Sequence, residues 1–347
     1  MERDKDRSGY LGRQWRGWMH LGMPILGLLL MLSGCVAIPK GSYHGGHIIE
    51  MGPGTEDMIL DTLTGSPRLL ISCDDRRHGN RPTFSGICSY DLLTNRVDTM
   101  SIREYPFDMV FRPHGLDFQV VRGKPHLYVV CHDDSTSHHW IADFEVLDHD
   151  LMWVQNYQAG ALTSPNGVTA LPSGDLYVTN DHLVRGSVKE SLFKKKLADI
   201  IHFRPDATHE VAFHALSYGN GITQRDGYVY AAATVENAVY RFKIMPDGKL
   251  GEQERYAKVH GPDNLRWDGN DMLVACHLRL IKFLGHAKDA KKHSPTTVYR
   301  IKPGEKKPIP LYSNKGELIS GGATGLMWKG RLFVGQVFEN WIIEATK

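Results

Sequence analysis

Six stretches of the chain share one pattern, in which a turn that contains glycine leads into a strongly apolar strand. The anchor residues of these strands recur at intervals of roughly 40–60 residues, which is a period typical of structural repeats. They are Leu69, Leu127, Leu176, Val229, Met272 and Leu332. A polar break and a further β-rich stretch, such as Val239–Phe242, follow most of them. Because nearly continuous apolar strands suit packing on both faces, the pattern predicts an all-β chain of six similar units.

Units of four short strands at this period are typical of propeller blades, so we predict an all-β, six-bladed β-propeller. A β-sandwich is the alternative, but it gives no reason for six similar units. The last unit offers only Asn340–Ala345 as its third strand, and a spare strand, His47–Glu50, precedes the first unit. Because an open sheet edge is a liability, we expect the N-terminal strand to close the last blade.

Two segments depart from the strand pattern. Val188–Ile201 carries apolar residues at helical spacing with lysines between them, and it predicts a short inserted helix. This segment interrupts the third unit where a blade needs only a turn. It is either a lid over one mouth of the channel or a helix in a loop that has no role at the channel. The basic insertion His286–Ser294 is interpreted as a solvated loop.

The N-terminus carries the pattern of an exported protein. Arg13 and Arg16 precede an apolar run from Trp18 to Leu32, and the sequence Leu-Ser-Gly-Cys ends this region at Cys35. A positive segment, a short apolar segment and small residues before the cleavage point are typical of a secretory signal peptide. The last four residues resemble the lipobox of bacterial lipoproteins.

We therefore predict residues 1–35 as a signal peptide, residues 36–46 as a linker and residues 47–347 as the propeller domain. The resemblance implies diacylation of Cys35, and two acyl chains suffice for stable membrane anchoring. We expect a lipid-anchored protein of the bacterial cell envelope, on the periplasmic side of the outer membrane, because Val36 rather than aspartate follows the cysteine. An uncleaved transmembrane anchor is the alternative. The net charge of +2 gives no reason to expect a nucleic-acid partner.

Polar residues occupy equivalent positions at the start of the first strand of successive units. Innermost strands line the channel of a propeller, so side chains at equivalent positions should lie at one height and form a ring. The predicted ring contains Glu56, His114, Asn166, Asn220, Asp263 and Asn264. Strand propensity disfavours Asn, Asp and Glu, and unpaired polar groups are costly to bury, so the ring requires a partner.

A hard cation is the partner that this chemistry favours. The carboxylates of Glu56 and Asp263 and the carboxamides of Asn166, Asn220 and Asn264 form an oxygen-only ligand set. Ca²⁺ takes about 6–8 oxygen ligands, so five protein ligands leave positions for water and a substrate oxygen. Mg²⁺ or Mn²⁺ also accepts such ligands, whereas the absence of cysteine and the hard oxygen ligands disfavour metals that prefer thiolates. The sequence therefore predicts a Ca²⁺ ion in the channel, with a hydrated ring of polar turn residues as the alternative.

Two histidines are candidates for a general base beside the ion. His114 shares the height of the ring, and His132 follows the second strand of the same unit. One imidazole can take a proton from an attacking water while the other orients it. The alternatives are a hydrogen-bonded channel histidine at 114 and a turn residue at 132. His277 either lines the pocket or merely reflects the repeat. His138 and His139 are interpreted as polar residues of a loop, without a role at the site.

The ordered set of motifs resembles the paraoxonases, a family of calcium-dependent lactonases and arylesterases. The matching segments are Gly54–Asp57, Pro113–Leu116, Thr179–His182, Asn220–Ile222, Asp263–Asn264, Cys276–His277 and Gly335–Phe338. The resemblance implies a six-bladed propeller, a catalytic calcium on the five oxygen ligands named above, and a base pair formed by His114 and His132.

The resemblance also implies a second, structural calcium, bound by the Asp57 carboxylate and the Leu116 carbonyl. The third unit departs from the family at this point, because it has Asn166-Gly167 where the family has Asn-Asp. The family's disulfide between the chain ends has no counterpart either. The Asn-Gly form is closer to the related gluconolactonase-type propellers.

We therefore expect a carboxylic-ester hydrolase, an arylesterase or lactonase, that acts on a small lactone or ester. In this scheme calcium polarises the carbonyl and the histidine pair activates water. A sugar-lactone hydrolase of the gluconolactonase type is the alternative enzyme, and it would not need both histidines. A non-catalytic propeller that binds a partner in the envelope is the third hypothesis, but a scaffold needs no open cation.

Overall fold

The computed structural model describes residues 36–79, 82–305 and 307–347. The predicted signal peptide and Cys35 lie outside the described residues. The segment Ile38–Lys347 forms one compact unit. Among the described residues, no helix has both the length and the apolar character needed to cross a membrane.

Short strands make up most of the described chain. In chain order they are β1 Gly45–Glu50, β2 Thr55–Asp61, β3 Arg68–Asp74, β4 Ser85–Asp91, β5 Val97–Thr99, β6 Ser101–Arg103, β7 Pro113–Val121, β8 Lys124–Asp133, β9 His138–Val146, β10 Asp150–Gln158, β11 Pro165–Ala170, β12 Leu176–Asn180, β13 Ala198–Phe203, β14 His209–Leu216, β15 Gly219–Arg225, β16 Tyr228–Ala233, β17 Ala238–Lys243, β18 Glu254–Lys258, β19 Pro262–Asp268, β20 Asp271–Cys276, β21 Thr296–Ile301, β22 Ile309–Asn314, β23 Gly322–Trp328, β24 Arg331–Gln336 and β25 Trp341–Thr346. The helices are α1 Val188–Leu192, α2 Leu280–Lys288 and a 3₁₀ turn at Thr234–Glu236.

The strands form six sheets, each of which is one blade. Strands β2–β5 form the first blade, β7–β10 the second with β6 added beside β10, and β11–β14, β15–β18 and β19–β22 the next three. The innermost strands β2, β7, β11, β15, β19 and β23 each contact the innermost strand of the next blade, and β23 contacts β2 to close the circle. The predicted six-bladed β-propeller is confirmed.

The N-terminal strand completes the last blade, as predicted. Strand β1 pairs antiparallel with β25, with Ile48 opposite Ile343, and joins β23–β25 in one four-stranded sheet. Tyr43, just before β1, is buried in the apolar cluster that β24 and β25 help to form, and its hydroxyl donates a 3.0 Å hydrogen bond to the carbonyl of Gly330. The two ends of the chain thus hold the circle of blades closed.

Removal of residues 36–50 is expected to lower the free energy of unfolding by several kcal/mol. Burying one large side chain such as Tyr43 contributes about 2 kcal/mol, and β25 would also lose its partner along the whole edge. Denaturant unfolding of the chains 36–347 and 51–347 measures the difference. The control is Ile48→Ala, because this side chain on β1 is 51% exposed and its loss should change stability little. Equal midpoints for the two chains would show that the closure is not a stabilising contact.

Apolar side chains fill the spaces between neighbouring blades. Between the second and third blades, for example, Tyr128 and Val130 of β8 pack against Val168 of β11 and Leu176 of β12. Comparable clusters join the first blade to the second, the third to the fourth, the fifth to the sixth and the sixth to the first. Strands buried on both faces explain why their sequences are nearly continuous apolar runs.

The predicted helix over Val188–Ile201 is wrong in extent. Only Val188–Leu192 is helical, and Lys194 then takes a left-handed backbone conformation with φ 49°. The second half of the predicted helix is strand β13, which pairs with β12 and is buried along most of its length. Its apolar residues serve the two faces of a blade rather than one face of a helix, and this tertiary requirement overrode the helical spacing.

The interpretation of His286–Ser294 as a solvated loop is also wrong in part. Helix α2 begins at Leu280 and runs through the first residues of this segment to Lys288. The side chain of His286 is fully buried, and its Nδ1 lies 2.7 Å from the carbonyl oxygen of Lys292. The remainder of the insertion folds back on the helix end.

Candidate active site

A bulge interrupts the pairing of every innermost strand near its start, at the same position in each blade. On β11 the register shifts between Pro165 and Val168, and on β15 it shifts between Gly219 and Ile222. A bulge re-aims side chains away from the regular alternation of a strand. Five of the predicted ring residues are buried at these bulges: Glu56, Asn166, Asn220, Asp263 and Asn264. The sixth, His114, is half-buried.

Glycine follows the ring residue in three blades because the innermost strands approach one another backbone to backbone. A Cβ atom at Gly115 would lie 2.3 Å from the carbonyl oxygen of Asn166. At Gly221 it would lie 2.5 Å from Cα of Asn264. The glycine that follows each of these polar residues therefore allows the backbones of neighbouring innermost strands to pack closely around the channel.

A cavity of about 280 Å³ lies over the ring. Five predicted ring residues contribute to its wall: Glu56, His114, Asn166, Asn220 and Asp263. The rest of the wall consists of Asp181, His182, Arg185, Gly186, Tyr218, His277, Phe283 and Val337. The structure thus brings residues of all six blades or their connecting segments to one small site that combines charged, polar and apolar side chains.

Several oxygens of the ring have no hydrogen-bond donor. Oε2 of Glu56 and the Oδ1 atoms of Asn166 and Asn220 are buried and accept no hydrogen bond. The carboxamide nitrogens, in contrast, are held: Nδ2 of Asn220 donates to Oγ1 of Thr234 at 3.2 Å, and Nδ2 of Asn264 donates to Oε1 of Glu56 at 2.9 Å. Buried oxygens without a donor are costly, and a cation is a partner that several oxygens can share.

The charge of the ring also favours a cation. Burial, followed by the negative charges of Asp57 and Asp263, raises the pKa of Glu56 to about 8. No three His, Cys, Asp or Glu side chains of the described chain are grouped as a metal site, since this ring combines two carboxylates with carboxamides. Oxygen-only ligands of this kind are the chemistry of Ca²⁺. The residues present therefore fit a calcium ion.

Asp263 has a histidine partner at the cavity wall. Nε2 of His277 lies 2.7 Å from Oδ2 of Asp263. The ring of Phe283, from helix α2, covers the imidazole with 4.0 Å between ring centroids. His277 therefore lines the pocket, which decides between the two readings that the sequence left open. The repeat pattern gave no signal for Phe283, because α2 belongs to an insertion between β20 and β21.

Three histidines of the second blade form a row that begins at the cavity. Nε2 of His114 lies 3.8 Å from Oε1 of Glu56. The ring centroids of His114 and His132 are 5.2 Å apart, and those of His132 and His139 are 5.0 Å apart. The Nδ1 atoms of His132 and His139 are within hydrogen-bond distance, at 3.2 Å. The structure thus brings the predicted pair together and adds a third histidine behind it.

Burial lowers the pKa of all three histidines. It acts with the positive charges of Arg76 and Arg185 to hold the pKa of His114 well below its usual value. The pKa of His132 is also lowered far below the usual range, by burial and then by Arg185 and the neighbouring histidines. Burial and Arg185 lower the pKa of His139 to about 4. All three imidazoles are therefore neutral at pH 7, the state that can accept a proton.

The interpretation of His139 as a polar loop residue is wrong. His139 is buried and lies directly opposite His132 in the β8–β9 pair, whereas its neighbour His138 is exposed. The sequence held a usable signal, because the short polar turn between β8 and β9 pairs these two positions across the hairpin.

The two residues that the resemblance implies for a second calcium are also in contact, but their partners are protein groups. The backbone N–H of Leu116 donates to Oδ2 of Asp57 at 2.8 Å. The guanidinium of Arg266 donates to the same oxygen at 2.6 Å. The structural calcium that the resemblance implies therefore does not fit these residues.

Helix α1 supports one wall of the cavity. Nε2 of His182 lies 2.7 Å from Oγ of Ser191 on α1, and Nδ1 of His182 lies 2.9 Å from Oδ1 of Asp181. The imidazole packs against the ring of Tyr218, with 4.7 Å between centroids. The sequence assigned no role to these residues, because the contacts form only when the insertion between β12 and β13 folds back over the end of β12.

The fold and the cavity define a six-bladed propeller with an enzyme-like site in its central channel. The sequence profile of the family described as Arylesterase matches residues 82–343. The chain is 24% identical over 267 residues to serum paraoxonase/arylesterase 2 of Homo sapiens, over 73% of this chain and 75% of that protein. It is 24% identical over 239 residues to serum paraoxonase/lactonase 3 of Homo sapiens, over 66% of this chain and 67% of that protein.

Solved structures share the fold at low sequence identity. A putative gluconolactonase superimposes with a TM-score of 0.56 at 14% identity, over 89% of this chain and 94% of that chain. Regucalcin, a calcium-binding protein from Agrobacterium tumefaciens, superimposes with a TM-score of 0.53 at 13% identity, over 88% of this chain and 97% of that chain. The chain belongs to the arylesterase family and is a carboxylic-ester hydrolase.

Proposed function

We propose that this protein is a Ca²⁺-dependent hydrolase of small lactones and aryl esters. One observation carries the proposal: the buried oxygens of Glu56, Asn166 and Asn220 have no hydrogen-bond donor and line a single cavity. The relatives named paraoxonase, arylesterase and lactonase support the substrate class. The likeness to a calcium-binding propeller is consistent with the choice of metal.

The ligands of the ion would be Glu56, Asn166, Asn220, Asp263 and Asn264. The two carboxylates balance the charge of a divalent cation, and the three carboxamides add neutral oxygens. When bound, calcium supplies the positive charge that polarises the substrate carbonyl. The hydrogen bond from Asn264 to Glu56 fixes both side chains before any ligand arrives, so the site is preorganised.

The histidine row would move the proton of the attacking water. Nε2 of His114 faces the ring at Glu56, and the neutral imidazole accepts a proton there as the water oxygen bonds to the carbonyl carbon. When the ester C–O bond breaks, the same proton goes to the leaving oxygen. His132 and His139 share one hydrogen bond between their Nδ1 atoms, so one of them donates and the other accepts. This contact holds the orientation of His132 behind the base.

The cavity wall favours small substrates. Its volume of about 280 Å³ lies just below the usual range for small-molecule sites, which begins at roughly 300 Å³. Tyr218, Phe283 and Val337 supply apolar wall, which suits the ring or acyl part of a lactone. Asp181 and Arg185 supply polar groups at the same site, and these favour a second candidate, a sugar-lactone hydrolase whose substrate hydroxyls they would bind.

A substrate panel with calcium titrated tests the proposed function. The chain 36–347 is stripped with a chelator and assayed on aliphatic lactones, glucono-δ-lactone and aryl esters as calcium is restored. We expect hydrolysis to vanish with the chelator and return with calcium, with aliphatic lactones or aryl esters preferred. A preference for the sugar lactone would select the second candidate, and hydrolysis that is unaffected by chelation would contradict the proposed metal dependence.

We also propose that the protein is lipid-anchored in the cell envelope through Cys35. The lipobox-like sequence Leu-Ser-Gly-Cys supports this proposal. Cys35→Ser is expected to release the protein into the soluble fraction or to leave it unprocessed, because the thiol that would carry the lipid is lost. Membrane fractionation and the mass of the mature chain measure both effects. A variant that is processed normally and stays in the membrane fraction would refute the anchor.

A further inference from the structure

Arg266 extends from the fifth blade across the channel to the first and second blades. Its Nη2 lies 2.6 Å from Oδ2 of Asp57 and 3.1 Å from the carbonyl oxygen of Leu116. Its Nε donates to the carbonyl of Met58 at 2.8 Å, and Nη1 donates to the carbonyl of Leu265 at 2.8 Å. The guanidinium thus lies on the same two oxygens that the resemblance assigns to a structural calcium.

The hydrogen bonds of Asp57 are complete without a metal. Its Oδ1 accepts from the backbone N–H of Met58 at 2.9 Å and from Oγ1 of Thr324 at 2.8 Å. Its Oδ2 accepts from the N–H of Leu116 and from Arg266. The carboxylate differs in this respect from three ring oxygens, Oε2 of Glu56 and the Oδ1 atoms of Asn166 and Asn220, which have no donor.

The third blade cannot supply the missing carboxylate at this level. The chain has Gly167 there, and a Cβ atom would lie 3.0 Å from both the carbonyl oxygen of Asn220 and the backbone nitrogen of Ile222. A metal at Asp57 would therefore have one carboxylate and would have to displace a buried guanidinium. Asp57 and Arg266 are 1% and 8% exposed, and a buried charge without its partner is strongly destabilising.

We propose that Arg266 is a built-in cation that takes the place of the structural calcium, so that the chain binds a single calcium ion, at the ring. Arginine suits this position because its planar group offers five donors and keeps its charge when buried. The tether joins three blades at the channel without any dependence on dissolved metal. The count of one ion rests on the proposed function, whereas the replacement at Asp57 does not.

The first test counts calcium ions. Calorimetric titration of the metal-free chain 36–347 is expected to give one ion for each chain. In the Asp263→Asn variant, whose ring has lost a carboxylate, the melting temperature should be the same in chelator and in a calcium concentration that just saturates the parent. Two ions for each chain, or a melting temperature of the variant that rises at the same calcium concentrations as that of the parent, would overturn the proposal.

The second test removes the tether. Arg266→Met keeps the unbranched apolar stem but removes the guanidinium, and it should lower the melting temperature by roughly 10 °C, because it leaves Asp57 buried and unpaired. Adding Asp57→Asn should recover part of this loss. The matched control is Arg300→Met, which breaks a half-buried pair with Asp268 and should have a much smaller effect. Equal melting temperatures for Arg266→Met and Arg300→Met would also overturn the proposal.

The two tests separate this inference from the proposed function. If the parent chain binds no calcium at all, the ring proposal fails, and the Arg266→Met comparison still decides the role of the arginine. If Arg266→Met does not fold while Arg300→Met does, the tether is required for folding, and the ion count then decides whether it replaces the metal.

Discussion

Asp263→Asn is expected to weaken calcium binding and ester hydrolysis together. The substitution keeps the shape of the side chain but removes one of the two negative charges of the ring. The residue is 2% exposed, so water cannot replace the lost carboxylate beside the ion. Calcium affinity should fall by more than roughly 100-fold, since even partners outside the ligand shell typically contribute 10–100-fold. Calorimetric titration and lactone hydrolysis at each calcium concentration measure the two losses side by side.

The matched control lies at the other end of the same strand. Asp268 on β19 pairs with Arg300 at 2.6 Å, away from the ring, so Asp268→Asn should keep both the calcium affinity and the rate. Activity of Asp263→Asn that returns at high calcium would show that the metal rather than the fold was lost. An unchanged affinity in Asp263→Asn would mean that the ring is not the calcium site.

His114→Gln is expected to keep calcium binding but to lose turnover by roughly 10²–10⁴-fold, the contribution typical of a general base. The loss should be larger for aliphatic lactones than for activated aryl esters, because a good leaving group depends less on a well-placed base. The pKa of His114 is held low by burial, Arg76 and Arg185, so the base is deprotonated at neutral pH. The acid limb of the parental pH–rate profile should therefore lie below the usual histidine pKa of about 6.5.

Two further histidine variants sharpen this result. His139→Gln should reduce kcat by about tenfold with KM unchanged, because His139 acts on His132 rather than on substrate. His126→Gln serves as the control, since His126 lies on the same strand as His132 but pairs with Asp143 at 2.7 Å outside the site. If His114→Gln hydrolyses every substrate at the parental rate, the base assignment is wrong.

The position of the ring could be predicted from the sequence because a repeat equates its positions. Glu56, Asn166, Asn220 and Asp263 occupy equivalent positions of the repeat, so they are expected at one height in the channel however the blades pack. The closing strand was predictable for a similar reason, since six units with one strand missing at the end and one spare at the start leave a single way to pair. Local pattern and repeat count were sufficient for both.

The partners of these residues were decided by the tertiary structure. Arg266 reaches Asp57 across 209 residues of sequence, and no pattern along the chain shows that a side chain of the fifth blade crosses the channel to the first. His139 required the hairpin register, and Phe283 required an inserted helix that the repeat does not contain. The apolar residues at the end of the predicted helix lie in strand β13, because the third blade buries both faces of that strand. A repeat fixes which positions are equivalent, whereas contacts between blades depend on side-chain reach across the closed ring, which exists only after folding.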